Sequence, residues 1–159
     1  MTVETHTETG PDIPDIPARK AWLSLMAKAP EDEMLALWAG LKLDPAFTWL
    51  RRPEVGTVMV RGRAGGTGAP FNLGEMTVTR CAVQLDSGAV GHGYVQGRSQ
   101  DKARAAALVD ALMQGDQAET VRAGVLTPLA DHVAAATSKR AAKAAATKVD
   151  FFTMVRGED

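Results

Sequence analysis

The residues from Val60 to Glu75 read VRGRAGGTGAPFNLGE, two arginines running into a cluster of glycines with a threonine among them. Backbone amides in such a loop can turn inward around an anion. Arg61 and Arg63 could add positive charge to Gly65, Gly66, Thr67 and Gly68. A phosphate-binding P-loop also needs Gly-Lys-Ser/Thr and a helix that starts at once, so that amides, lysine and helix dipole converge. Here no lysine follows Gly68, and Pro70 leads toward a strand. The composition is met by a hairpin or long turn that uses glycine at positive φ. Contact with an anion or a docking partner is the alternative.

The other reactive side chains do not combine. His6, His92 and His132 lack i,i+4 spacing and have no cysteine pair beside them, so no self-contained metal site is expected. His92, between Gly91 and Gly93, reads as a packed or partly exposed histidine rather than a general base. Cys81, in TRCAV, reads as a small buried hydrophobe. Glu75 and Asp150 are the carboxylates in the least ordinary settings, with an ion pair to Arg156 or a partner expected for Asp150. Lys139, Arg140 and Lys143 form one basic turn, a solvated face or a surface for an acidic partner. No set of residues makes an enzyme by itself.

The elements that would position these residues can be read along the chain. Residues 1–16 are polar, acidic and broken by Gly10-Pro11 and Pro14, and are expected to be a mobile tail. Residues 17–159 are expected to form one α+β domain. Pro17 suits a first helical turn, and Trp22, Leu23, Leu25 and Met26 give the helix to Lys28 an apolar side. Pro30 starts another, with Glu31, Asp32 and Glu33 at its amino end and Met34, Leu35, Leu37, Trp38 and Leu41 as its stripe.

An antiparallel meander of about four strands is expected next: FTWLRR, a turn at Pro53–Gly56, TVMVRGR, the glycine loop, EMTVTRCAVQL, a hairpin turn at Asp86-Ser87-Gly88, and AVGHGYVQG. The third strand alternates imperfectly, which implies a bulge near Arg80 or cover on both faces. Gly91 and Gly93 would bare the backbone to a close neighbour. Ser99 is an N-cap for a helix to Gln114, with Ala103, Ala106, Ala107, Val109, Ala111 and Leu112 on its sheet side. Residues 116–126 read as a short helix or loop.

Thr127-Pro128 would cap and open a last helix to about Lys148. It holds nine alanines but, among large apolar residues, only Leu129 and Val133. Alanine favours a helix yet offers little area to bury, at roughly 25 cal/mol per Å². The end of the chain, with Val149, Phe151, Phe152, Met154 and Val155, is expected to be a strand that enters this sheet or pairs with a partner.

Composition narrows the function classes. A chain of 159 residues can bury one core, and 45% hydrophobic residues argue against general disorder. No apolar run spans a membrane, the amino terminus lacks the pattern of a secretion signal, and one cysteine fits a cytoplasmic protein. The first 17 residues hold four acidic residues and no Lys or Arg, so the rest carries a net +3 against the overall −1. Such a body, with eight aromatics not interleaved with basic residues, is a poor nucleic-acid binder.

Taken together, RAGGTGAPFNLGEMTVTR, GYVQGR, AALVDALMQ and VDFFTMVRG resemble the PhnG family, the G subunit of the bacterial phosphonate carbon–phosphorus lyase system. The resemblance covers roughly residues 18 to 157; the acidic tail lies outside it, and Ser99 stands where family members carry an acidic residue, either type being able to cap a helix. The resemblance implies a subunit of a complex that displaces adenine from ATP with an alkylphosphonate, giving a ribose 1-phosphonate 5-triphosphate. It implies I-, H-, J- and L-type partners and two copies in a symmetric assembly. It places the nucleosidase activity in the I-type subunit, and an iron–sulfur cluster with S-adenosylmethionine in the J-type subunit. It implies no cofactor and no catalytic residue in this chain. Val149, Phe151, Phe152 and Met154 are candidate docking residues, and the Arg61–Gly68 loop a candidate contact with a subunit or anion.

Overall fold

The structure, a computed structural model, describes residues 16–147. Two helices come first, α1 (Ile16–Lys28) and α2 (Glu31–Gly40), joined at Pro30. Ile16 is already helical, so the helix takes one residue from the expected tail. Helix α1 buries Trp22 and Met26, and α2 buries Met34.

The sheet has three strands, β1 (Phe47–Arg63), β2 (Pro70–Leu85) and β3 (Val90–Gln96), antiparallel and in sequence order. The four-strand meander is therefore corrected, because the two strands expected at 47–52 and 57–63 are one. No turn forms at Pro53–Gly56. Pairing passes from Trp49↔Val83 to Arg51↔Ala82 and then to Glu54↔Arg80, so β1 twice fits an extra residue against β2. Pro53 lies in the second of these bulges on an edge strand, where a missing N–H breaks no ladder bond. The irregularity expected near Arg80 is thus in the partner strand, while β2 and β3 pair without interruption from Val78↔Gln96 to Gln84↔Val90. Adjacent Val78 and Thr79 are both buried, so both faces of β2 are covered at that point.

The β2–β3 turn closes at Asp86-Ser87-Gly88, with Gly88 at φ +89° and its N–H donating to the Leu85 carbonyl at 2.8 Å. Ser99 caps α3 (Gln100–Leu112), its Oγ accepting from the Lys102 N–H at 3.1 Å. This helix is buried almost all round, because the sheet lies on one side and α1 and α2 pack on the other. A Cβ at Gly91 would overlap the Ala107 carbonyl oxygen, and one at Gly93 that of Ala103. The two glycines thus let α3 lie directly on the backbone of β3.

The last helical stretch runs on from α4 (Ala118–Val121) through a π turn at Arg122–Leu126 into α5 (Thr127–Ala146). Thr127 is consequently not a cap: Leu126 before it is helical, at φ −71° and ψ −42°. Gly124 in the π turn has no side chain because Leu41 occupies that space. The terminal strand expected at Val149, Phe151, Phe152, Met154 and Val155 lies outside the described residues, as do the tail before Ile16, His6 and Asp150.

Candidate functional site

Strand β3 supports β2 only from Val78 onward, so Thr57–Arg63 and Pro70–Thr77 project as a two-stranded ribbon. Isolated ribbons are marginal in water, and this one leaves apolar residues uncovered. Along β1, Val58, Val60 and Gly62 are half-buried, whereas Val55, Met59, Arg61 and Arg63 alternate with them on the open side. Met59 is 53% exposed and Leu73 66%.

The glycine loop is the tip of this ribbon. Gly65 and Gly66 take φ of +59° and +80° in a tight turn at Ala64–Gly66. The Gly68 N–H donates to the Ala64 carbonyl at 2.8 Å, and Arg63 Nη1 donates to the Gly68 carbonyl at 3.1 Å. One amide and one guanidinium therefore bond inside the turn, and the chain leaves it as a strand. The structure brings Arg61 and Arg63 to the same exposed side of β1, with Gly65, Gly66 and Thr67 exposed at the tip.

Helix α5 is the second projection. Leu129 is fully buried, but every residue from Ala130 to Thr147 is exposed. His132 Nδ1 meets Glu33 Oε1 of α2 at 2.5 Å. Beyond that contact the helix carries Lys139, Arg140 and Lys143 outward, roughly 21 Å at 1.5 Å per residue over its remaining fourteen residues.

The other candidates stay apart from these arms. Cys81 is buried against the backbone of β3, and burial pushes its thiol up to about 11 despite an opposing hydrogen bond at Gly93. Such a thiol is not a nucleophile at neutral pH. His92 points away from α3, while its backbone N–H donates to Asp110 Oδ2 at 2.9 Å. Among the described residues, no three His, Cys, Asp or Glu side chains group to hold a metal, and no helix is long and apolar enough to cross a membrane.

Sequence reasoning missed the polar centre of the core. Asp110 is fully buried on α3 and accepts four hydrogen bonds: from Arg19 Nε and Nη2 at 3.1 and 2.7 Å, Trp22 Nε1 at 2.9 Å, and the His92 N–H. Lys102 is also buried, its Nζ donating to the Ala29 and Ala27 carbonyls at 2.6 and 3.3 Å where α1 ends. Burial pulls its pKa down, partly offset by Glu31. A lone carboxylate inside the run AALVDALM was the available signal, since such a residue is rarely buried unless paired.

These residues tie α1, α3 and β3 together and leave the two projections free. The family model described as phosphonate metabolism protein PhnG matches residues 17–157. The alpha-D-ribose 1-methylphosphonate 5-triphosphate synthase subunit PhnG of Rhizobium meliloti (strain 1021) is 42% identical over 148 residues, covering 93% of this chain and 95% of the relative.

Proposed function

The chain belongs to the PhnG family of phosphonate metabolism proteins, and on that premise we propose that it is the assembly and activation subunit, not the catalyst, of a ribose 1-methylphosphonate 5-triphosphate synthase. In the reaction a phosphonate oxygen bonds to the ribose C1′ of ATP as adenine leaves, and the 5′-triphosphate is kept. Its partners are I- and H-type subunits, with L- and J-type subunits completing the system, all in the cytoplasm. The family resemblance assigns an iron–sulfur cluster to the J-type subunit; this chain's one cysteine, Cys81, is buried and offers no second thiolate for one.

The observation that carries this reading is the pair of uncovered projections, the β1–β2 ribbon and α5. The ribbon and α5 expose backbone and side chains to a neighbour, as docking elements do. Expressed alone, the chain is expected to self-associate, and co-expression with its I-type partner is expected to make it soluble and bring it into the complex. Deletion of residues 149–159 is expected to abolish co-purification. A well-behaved monomer that ignores the partner in size-exclusion chromatography refutes the proposal. The competing reading, nucleotide held by Arg61, Arg63 and the 65–68 loop, predicts heat on titrating ATP into the chain and loss of turnover in Arg63→Ala. We expect neither.

A further inference from the structure

Helix α1 turns one face inward and leaves another beside an apolar groove. Ile16, Lys20, Leu23 and Ala27 follow one another at helical spacing along that groove, and Tyr94 of β3 closes its far side. The groove holds about 610 Å³. Ile16 is 76% exposed and Tyr94 46%, so the groove is open along its length. Its positive groups are Arg19 and Lys20, both at the end where the chain enters the helix. Arg19 is engaged by Asp110, whereas Lys20 makes no ion pair with a described residue.

Ile16 is both a wall of this groove and the point where the first fifteen residues join. Those residues hold Glu4, Glu8, Asp12 and Asp15, no Lys or Arg, and the apolar Val3 and Ile13. They also precede the family match, which begins at residue 17.

We propose that residues 3–15 fold back along α1 and occupy this groove, with Ile13 on the Lys20 stem and Leu23 and the acidic residues around the Lys20 ammonium. The reach is sufficient: three extended residues take Ile13 about 10 Å from Ile16, and Leu23 lies about 10.5 Å along the helix. Charge favours this segment over the carboxyl end: residues 1–15 hold four acidic residues and no Lys or Arg, whereas residues 149–159 set Asp150, Glu158 and Asp159 against Arg156. Glu4, Glu8, Asp12 and Asp15 are opposite in charge to the groove's two charged wall residues, Arg19 and Lys20. The inference stands apart from the assembly role, because the groove borders neither the ribbon nor α5.

Disulfide trapping tests it on the full-length chain, free or in the complex. Pro11→Cys with Ser24→Cys leaves Ile13, Lys20 and Leu23 intact, and native Cys81 is buried. The introduced thiols form a bond within one chain at least tenfold faster than in a control pair, Pro11→Cys with Lys139→Cys. Adding Ile13→Ser or Lys20→Glu slows the trapping several-fold. Equal rates for the two pairs overturn the proposal. So does a disulfide-linked dimer, which would give the groove to a second copy. Because trapping is read apart from co-purification, its failure leaves the assembly role standing.

Discussion

Asp110 anchors three elements through one carboxylate, so its loss is costly to the fold. Asp110→Ala strips Arg19, the Trp22 indole and the His92 amide of their acceptor at once. Breaking a buried pair from one side costs about 3–5 kcal/mol; the lower end, about 3 kcal/mol, is expected because Arg19 keeps some contact with water. Urea unfolding of the variant checks this. At Gly93 the constraint is steric: Gly93→Ala drives a methyl into the Ala103 carbonyl, and overpacking of this kind costs about 1–3 kcal/mol. The Cys81 thiol gives a pH signature. Its folded pKa stands above the ordinary 9.0, at about 11, because burial disfavours the thiolate. Stability from the neutral thiol is therefore complete below pH 9 and lost as pH rises from 9 to 11. Against Cys81→Ala, the wild-type chain is expected to lose unfolding free energy across that window. Parallel curves from pH 8 to 11 would contradict it. Comparison with this variant isolates the thiol, since Lys102, whose pKa is lowered, contributes in the opposite sense and is common to both chains.

Among the elements, the ribbon and α5 separate docking from folding. Met59 and Leu73 are largely exposed and the core cluster does not include them. Met59→Ser with Leu73→Ser is therefore expected to leave the unfolding midpoint of the chain within about 0.5 kcal/mol, as for surface changes generally. The same pair is expected to weaken capture of the I-type partner at least tenfold in a pull-down titration. Unchanged capture would remove the ribbon from the interface. The sequence shows why such a ribbon forms, through glycines that turn and β-branched residues that alternate, but it hides the strand's length. Pro53 and Gly56 carry ordinary turn signals, and pairing across two bulges overrode them. Local chemistry also placed a cap at Thr127, but the chain is already helical at Leu126 and runs on through it.

At the scale of the molecule, what could be read depended on distance along the chain. Ser99 as a cap, the turn at Gly88 and the bare backbone at Gly91 and Gly93 are local, and all three were legible. The partners of Asp110 lie as far as 91 residues away, and no short-range pattern announces them. The candidate docking surface was legible as an excess of alanine and a glycine-rich tip, but its separation from the core required the fold. That separation makes a prediction about the whole chain. Trypsin needs basic residues in segments that open readily, and stability is lowest where few buried contacts hold the backbone. Arg61 and Arg63 sit on the ribbon, and Lys139, Arg140 and Lys143 on exposed α5, whereas Lys102 is buried in the core. Limited digestion of the isolated chain is expected to cut first at these five sites. The fragments between them should stay associated, because the core cluster draws its residues from α1, α2, β2, β3, α3 and the turn before α5. In the assembled complex the ribbon and α5 sites should be protected at least tenfold, since a partner covering both arms removes the sequences trypsin must enter. Mass spectrometry of the two digests decides the matter. Early cleavage at Lys102 would mean that the core is no more stable than its arms, and equal rates in the free and assembled chain would mean that neither arm is where the partner binds.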